Sequence, residues 1–481
     1  MTATAQSPEP REDEDVPVAE HALIGDRPHY NVTFLFLSLG GLALAVSQSL
    51  VAPALREIQV DLGTSTTAVT WVLTAFLLSA SVATPILGRL GDMFGKKRVL
   101  VIALTAVAVG TFMSAVASSL GLLVAGRVVQ GLGGGVFPLS MSIIRDEFPR
   151  ERVAGGIALI SAILGVGGGL GIVLAGPIVD HLNYHWLFWL PFVVVTIAAI
   201  GVFLAVPESP IRTRGRVDWL GAVLLAGWLV ALLLPISEGD RWGWTSARVL
   251  GLFAAAAVIA IVWVLAEMRS REPLVDMRMM QLRGVWTTNV TAVLLGAGMF
   301  GSFILIPQLV ELPKSTGYGF GGSVTDAGLY LLPSAAMMLV FSIVAGRLVR
   351  SAGPRLPLIL GTSVSVASFV VLTFAHSEGW HLLLGTALLG IGIGFAYSAM
   401  ANQIVESVPS EQTGVATGMN TIMRTIGGSL GATVSAVILT SSLTADGLPR
   451  ESGFTLAFAA SAVALALAVV AAFAVPPRRR V

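Results

Sequence analysis

The chain has 481 residues, of which 55% are hydrophobic and only 12% are charged, and its mean hydropathy is +0.83. Because soluble domains contain about 25% charged residues, this composition leaves too little charge to cover a surface that faces water. The formal net charge of +1 says nothing about partners, and the absence of cysteine excludes disulfides and cysteine-ligated metals.

Fourteen long apolar stretches, separated by short polar loops, follow one another from Asn31 to Val475. Each has about the 20 residues that an α-helix needs to cross a bilayer, and all are too uniformly apolar for the strands of a membrane barrel. A backbone in lipid must satisfy its own hydrogen bonds, so we expect an all-α polytopic membrane protein. The predicted spans are 31–53, 67–88, 99–118, 121–144, 153–180, 186–206, 218–236, 247–267, 284–309, 326–349, 356–375, 380–403, 413–441 and 453–475.

The Lys and Arg residues are distributed unequally between the two predicted sides of the membrane. With a cytoplasmic amino terminus, 22 of the 29 Lys and Arg fall in cytoplasmic segments, five in outer loops and two inside spans. Because cytoplasmic loops carry an excess of Lys and Arg, both termini are predicted to be cytoplasmic, with tails at 1–30 and 476–481. Arginine far exceeds lysine, and Ala, Gly and Val are abundant, which is typical of a GC-rich bacterial genome.

An internal repeat divides the spans. The pattern Gly-Arg-Leu with a glycine five residues later occurs at 88–95 and again at 346–353, and the alternating glycines of 131–135 recur at 390–394. We therefore predict two six-helix bundles, at 31–206 and 283–475, with a two-helix insert at 207–282. Tandem six-helix halves are the signature of an alternating-access transporter whose substrate site lies between the halves.

The most specific motif, GRLGDMFGKKRVL at residues 88–100, occupies the predicted cytoplasmic loop after the second span. An ordinary positive-inside loop explains its basic residues but not the spacing of its glycines around Asp92. The motif resembles the loop signature G-x-L-x-D-x-x-G-R-K-x-x-L of the major facilitator superfamily. That resemblance implies the superfamily's fold and a transporter rather than an enzyme.

Further stretches are similar to the 14-span drug:proton antiporters of that superfamily. They read LVAGRVVQGLGGG at 123–135, VDWLG at 217–221, GDRWGW at 239–244 and EPLVDMR at 272–278. The resemblance extends over roughly residues 31–475. It implies a proton-driven multidrug exporter of hydrophobic or cationic compounds, of the kind that confers antibiotic resistance.

The same resemblance implies two conformational elements. A latch on the cytoplasmic side would hold Asp92 against the positive end of a facing helix near Thr413 and Gly414. A glycine-rich hinge in span 5 would let that helix bend or slide, although the family's proline is displaced here. The latch residues are Gly88, Asp92, Gly95, Lys96 and Lys97, and the hinge residues are Gly167, Gly171, Gly176 and Pro177.

Two arginines, Arg127 and Arg424, lie inside predicted spans. A charge at mid-span costs about 2.5–3.5 kcal/mol on insertion scales, so each is expected to face the bundle interior and to serve a function. The alternative is that both merely bond backbone carbonyls and pack helices. The side chains expected to bind substrate are Gln48, Trp71, Gln130, Asn289, Tyr330, Tyr397, Asn420 and Arg424.

Span 1 has no acid, and Leu44 stands where many relatives carry an aspartate. Proton coupling is therefore predicted to use Asp326 first and Asp180 second, with Glu311 after them and Arg127 as the residue that tunes a carboxylate. The alternative for Asp326 is a simple helix N-terminal cap. One Asp with two His near residue 180 is too few ligands to predict a metal.

Other functions remain open at this point. Within transport they are a dedicated exporter of an endogenous secondary metabolite, a proton symporter and a lipid flippase. No phosphate-binding loop or nucleophile motif is present, so neither ATP-driven transport nor an enzyme is favoured. We expect a monomer in the bacterial cytoplasmic membrane whose partners are a small-molecule substrate, protons and the lipid bilayer, with no cofactor, metal or nucleic acid.

Overall fold

The structure is a computed structural model. It describes residues 30–209, 218–444 and 447–477, without the side chains at positions 66, 67 and 180. Most of the predicted tails, and part of the loop that opens the predicted insert, lie outside the described residues.

Within those ranges, fourteen helices are long and apolar enough to cross a membrane, which confirms the predicted number and the all-α class. Each predicted span corresponds to one of them. The helices are α1 Tyr30–Ser49, α2 Trp71–Phe94, α3 Lys96–Ala115, α4 Leu120–Glu147, α5 Arg150–His181, α6 Trp186–Ala205, α7 Trp219–Trp242, α8 Ala247–Arg269, α9 Arg283–Glu311, α10 Val324–Ala352, α11 Arg355–Phe374, α12 Gly379–Ser407, α13 Thr413–Ser441 and α14 Glu451–Ala474. Short helices at Leu55–Asp61, Thr66–Val69 and Met277–Met280 lie in the connections.

Helix α7 extends six residues beyond its predicted end, because its polar residues pair within the last turns. Arg241 donates a hydrogen bond to the buried carboxylate of Glu238 at 3.2 Å. The indole of Trp244 donates to Asp240 at 2.7 Å. Side-chain pairs three or four residues apart stabilise a helix by about 0.2–0.5 kcal/mol each, which favours continuation of α7.

Helices α4 and α9 are each interrupted at glycine. A 3₁₀ turn at Leu132–Gly135 divides α4, and Gly301 separates Arg283–Phe300 from Ser302–Glu311 in α9. A Cβ on Gly134 would lie 2.5 Å from the carbonyl oxygen of Ala80 in α2. The glycines of α4 therefore permit direct backbone contact between α2 and α4.

The chain forms two six-helix halves, α1–α6 and α9–α14, with α7 and α8 between them in sequence. The insert shares an apolar core with α12 and α13 of the second half, to which Ile404, Val408 and Met419 contribute. In contrast, α8 has a largely exposed apolar surface that includes Val258 and Ile261, as expected of a helix that faces lipid.

The halves meet along two helix pairs. Helix α5 runs beside α10 for most of its length, and small residues line the contact, such as Gly169 opposite Ala335 and Gly155 opposite Gly346. Helix α2 meets α13 near the end of the bundle that carries Lys96 and Arg145, which we call the basic end. The opposite end is called the far end.

Substitution of Gly427 tests this close packing. A Cβ there would lie 1.9 Å from the carbonyl oxygen of Val293, so Gly427→Ala forces α9 and α13 apart and lowers the melting temperature by several degrees. The measurement is thermal unfolding in detergent, read by size-exclusion chromatography. Gly251→Ala is the matched control, because a Cβ on exposed Gly251 in α8 meets nothing within 4 Å. Equal stability of the two variants would contradict the packing account.

Candidate functional site

A cavity of about 390 Å³ lies between the two halves, where α1, α2, α4 and α5 face α9, α10, α12 and α13. Its lining is mostly apolar, with aromatic and thioether side chains on both walls. These are Phe76, Phe137, Met299, Phe300, Phe303 and Met338. The polar positions in the lining include Gln48, Thr84, Arg127, Ser334, Tyr397 and Arg424.

Arg127 is fully buried in the wall of the first half. Its Nε donates to the carbonyl of Val72 at 2.9 Å, and its Nη1 donates to the carbonyl of Ser47 at 3.4 Å and to Oε1 of Gln130 at 2.5 Å. The guanidinium carbon lies 4.4 Å from the centre of the Phe76 ring. Two of these bonds satisfy backbone carbonyls, as the packing alternative expects, but Nη2 has no hydrogen-bond partner in the described part of the chain.

Hydrogen bonds of Gln130 orient the side chain of Arg127. Its Nε2 donates to Oγ of Ser47 at 2.5 Å and to Oγ1 of Thr111 at 2.9 Å, which leaves Oε1 to accept from the arginine. The network joins α1, α3 and α4, with α2 attached through Arg127. These four helices of the first half are thereby fixed around one cation.

Arg424 enters the cavity from α13 on the opposite wall. Its guanidinium carbon lies 4.4 Å from the centre of the Tyr397 ring, a cation–π distance. The hydroxyl of buried Tyr397 donates to Sδ of Met299 at 3.4 Å. One turn nearer the basic end, Nδ2 of Asn420 donates to Oδ1 of Asn289 at 2.9 Å, and both amides are buried.

The structure brings together some of the side chains expected to bind substrate and separates others. Gln48, Tyr397 and Arg424 line the cavity, and Asn420 lines a small pocket that adjoins Arg424. Gln130 and Asn289 support lining residues. Neither Trp71 nor Tyr330 is in the described lining; Tyr330 instead packs against Phe320, with ring centres 5.8 Å apart.

Sequence reasoning missed lining positions on α10. Ser334 and Met338 are four residues apart, so they share a helical face, and the glycines opposite them on α5 include Gly165. The signal that would have found them is this spacing in a helix that faces a glycine-rich neighbour.

At the basic end, Asp92 binds the amino end of α13. It is 1% exposed, and its carboxylate accepts hydrogen bonds from the backbone N–H groups of Gly414 and Val415, each at 3.3 Å. Backbone contact accompanies them, since a Cβ on Gly88 would lie 2.5 Å from the carbonyl oxygen of Gly414. A carboxylate at a helix amino terminus is favoured by the helix dipole. This is the geometry that the predicted latch requires.

The lysines of the motif act within the first half. Lys96 is fully buried and forms an ion pair with Asp146, which also accepts a hydrogen bond from Ser209. The carboxylate of Glu208 accepts from the backbone N–H groups of Lys97 at 3.1 Å and Arg98 at 3.3 Å. These contacts fix the start of α3 to α4 and to the segment after α6, without crossing to the second half.

Arg145 makes a second link between the halves that sequence reasoning did not anticipate. It donates to the carbonyls of Val408 at 2.9 Å and Pro409 at 3.2 Å, and to Oγ1 of Thr413 at 2.5 Å. In addition, Nδ2 of Asn402 donates to the carbonyl of Ala154 at 3.3 Å. The basic end of the cavity is thus closed by polar contacts from several helices.

The predicted hinge glycines of α5 are contact positions. Cβ atoms at Gly167 and Gly171 would collide with α1, at Ala45 and Ser49, and one at Gly176 would collide with Thr325 of α10. Pro177 lies inside α5, which continues to His181. Bending or sliding of α5 remains a prediction.

The predicted proton-coupling acids lie at the far end. Asp326 is exposed rather than desolvated, and it forms a capping box in which the N–H and Oγ of Ser323 each donate to its carboxylate at 2.8 Å. Glu311 is also exposed, and the side chain of Asp180 lies outside the described residues. The described chain contains no group of three or more His, Cys, Asp or Glu that would hold a metal ion.

Residues 37–432 match the family model of the Major Facilitator Superfamily. The chain therefore belongs to this superfamily, and it is a multi-pass membrane transporter rather than an enzyme. This confirms the family that the motifs of the sequence indicated.

Known relatives and solved structures agree with that assignment. The chain is 28% identical over 373 residues to Multidrug resistance protein 3 of Bacillus subtilis (strain 168), which covers 76% of this chain and 71% of that protein. It is 28% identical over 414 residues to the Tetracenomycin C resistance and export protein of Streptomyces glaucescens, covering 84% and 75%. The crystal structure of the human organic anion transporter MFSD10 superposes with a TM-score of 0.66 at 16% identity, covering 93% of this chain and 100% of that one. At that identity the superposition shows the fold alone.

Asp92→Asn should leave the protein folded and inserted but slow transport, because the neutral amide loses the attraction to the amino end of α13. Glu208→Gln is a matched control, since Glu208 also accepts from two backbone N–H groups but only within one half. The measurement is the initial transport rate per molecule in vesicles. Equal rates for Asp92→Asn and the unaltered protein would contradict the latch.

Arg127→Ala should abolish transport while lowering the membrane level of the protein much less. The reason is that Arg127 holds α1 and α2, lines the cavity and has a buried Nη2 without a described partner. Immunoblots of membranes, combined with transport per molecule, separate the two effects. A variant that is scarce in the membrane but fully active per molecule would support the packing alternative.

Proposed function

We propose that this transporter exports bulky, mostly apolar organic compounds by alternating access, driven by the proton gradient. The observation that carries the proposal is the apolar cavity between the halves, closed at the basic end by Asp92 and Arg145. A cavity of this kind falls in the size range of ligand sites, about 300–1,000 Å³.

The basic end is proposed to be cytoplasmic. It carries 14 of the 21 Lys and Arg in the described residues, and such an excess marks the cytoplasmic side of membrane proteins. With that orientation, the contacts of Asp92 and Arg145 close the cytoplasmic side of the cavity, which supports an outward-facing state and release of the exported compound from the far end. The bacterial relatives support placement in a bacterial cell membrane.

The charged side chains of the cavity lining limit the classes of compound that the cavity can bind. Its charged side chains are Arg127 and Arg424, and no Asp or Glu is among the lining residues that the structure describes. Coulomb repulsion in a low-dielectric cavity disfavours a cation there. The sequence resemblance implied hydrophobic or cationic compounds; the cavity supports the hydrophobic ones and disfavours the cationic ones.

Proton coupling is proposed to use a far-end carboxylate, since the described cavity lining supplies none. Asp326 is the first choice and Asp180 the second, followed by Glu311. In the outward-facing state the exposed Asp326 exchanges protons with the external medium. Coupling then requires that the Asp326 carboxylate become buried in the inward-facing state, because burial changes the affinity of a carboxylate for its proton.

A dedicated exporter of an endogenous secondary metabolite is the second candidate. It is favoured by the similarity to the Tetracenomycin C resistance and export protein, which covers more of this chain than the multidrug relative does. Breadth of substrate separates the candidates: a multidrug exporter moves several unrelated compounds, whereas a dedicated one moves a single chemical series.

Transport is tested in everted membrane vesicles that carry a preset proton gradient, reported by a pH-sensitive dye. Addition of a substrate should dissipate the gradient, and vesicles without the protein should show no response. Accumulation of substrate that is unaffected by collapsing the gradient with a protonophore would contradict proton coupling.

Asp326→Asn should lose gradient-driven accumulation while still permitting downhill substrate exchange, because binding and rocking do not need that proton. Asn keeps an oxygen that accepts from Ser323, so the helix start is retained. The measurements are uphill and downhill flux in the same proteoliposomes. Unchanged uphill transport with an unchanged pH dependence would eliminate Asp326 and move the test to Asp180.

A further inference from the structure

The guanidinium of Arg424 has no hydrogen-bond or ion-pair partner among the residues that the structure describes. Its one described interaction is the stacking on Tyr397. By comparison, Arg283 and Arg355 donate to carbonyls of α14, at 3.1 and 2.8 Å. The five N–H donors of Arg424 are therefore unused in a membrane-embedded, partly buried position.

An unpaired cation inside the bilayer is costly, so its persistence calls for a partner that is absent from the chain itself. The planar guanidinium presents two parallel N–H groups that match the two oxygens of a carboxylate. Stacking on Tyr397 holds that plane in place before a ligand arrives, which reduces the ordering cost of binding.

Most polar side chains next to Arg424 already donate a hydrogen bond; among the described residues, Nδ2 of Asn289 is an amide donor there without a partner. Nδ2 of Asn420 donates to Asn289, while the hydroxyls of Thr421 and Thr425 donate to helix carbonyls at 3.0 Å each. They leave the donors of Arg424 as the strongest anion-binding group on this wall. Across the cavity, Nη2 of Arg127 is the other unpaired cationic donor.

We propose that Arg424 is an anion-binding residue of the substrate site, and that the preferred substrates are bulky apolar organic acids. The carboxylate of the substrate binds the guanidinium of Arg424, and its apolar body packs against the aromatic side chains of Phe76, Phe300 and Phe303. This inference rests on the proposed function, because it names the substrate class of the same cavity.

The test uses three probes that share one apolar body and differ only in charge: 1-pyrenebutanoate, 1-pyrenebutanol and 4-(1-pyrenyl)butyltrimethylammonium. Binding to the purified full-length protein in uncharged detergent is measured by energy transfer from its tryptophans to pyrene. The anion should bind about tenfold or more tighter than the cation, as expected for one charge-assisted bidentate contact.

Arg424→Gln should weaken binding of the anion about tenfold or more and change binding of the neutral alcohol less than about twofold. Arg424→Lys should weaken anion binding to an intermediate extent, because lysine keeps the positive charge but lacks the two parallel N–H donors of the guanidinium. Arg283→Gln is the matched control: it removes the same charge from an exposed site outside the cavity and should change nothing.

A second variant keeps Arg424 in place in case its removal prevents folding. Thr421→Asp adds a carboxylate one turn away on α13, in the cavity lining, so it should occupy the guanidinium and weaken anion binding. Anion binding that is unchanged in both Arg424→Gln and Thr421→Asp would overturn the inference, as would a wild-type preference for the cation.

The outcomes separate this inference from the proposed function. Binding of the anion that depends on Arg424, without any flux in everted vesicles, would support the site and contradict export. Gradient-driven export of neutral compounds, together with anion binding that is the same in the unaltered protein and in Arg424→Gln, would support export and overturn the anion site.

Discussion

The contact between α2 and α13 at the basic end is the constraint on which the shape of the cavity depends. The carboxylate of Asp92 replaces water at two free N–H groups of a helix amino terminus, and Gly88 and Gly414 let the two backbones meet. Both features are needed, since a Cβ on either glycine would separate the donors from the acceptor. With this end closed, the space between the halves becomes a cavity rather than a channel.

The polar contacts that close the basic end are individually modest. The bonds from Asp92 are long, at 3.3 Å, and Arg145 adds neutral carbonyl acceptors rather than a buried ion pair with the second half. An interface built from several modest hydrogen bonds closes firmly yet opens without leaving an unpaired buried charge on both sides. The buried ion pair of Lys96 with Asp146 lies within one half and need not break when the halves move.

The two membrane-embedded arginines show two responses to the same energetic cost. Nε and Nη1 of Arg127 donate hydrogen bonds to backbone carbonyls and to Gln130, so Arg127 connects helices of the first half. Arg424 is held by stacking on Tyr397 and keeps its donors free. The first arrangement fixes helices and the second leaves the N–H donors without a described partner, so the two walls of the cavity differ in their polar chemistry although the halves are repeats.

The fourteen helices and the repeat followed from the sequence alone, because the length of an apolar span and the spacing of a glycine motif are local properties. The contact of Asp92 with the start of α13 was implied by the family resemblance of its motif. The face that each helix turns to its neighbours was decided by the tertiary structure. In spans that are apolar all round, no periodicity marks an inner face, so the pairing of Asn289 with Asn420, the exposure of Asp326 and the exclusion of Tyr330 from the cavity could not be read in advance. Those features depend on how helices far apart in sequence rotate to fit glycines against side chains, which only the packed bundle determines.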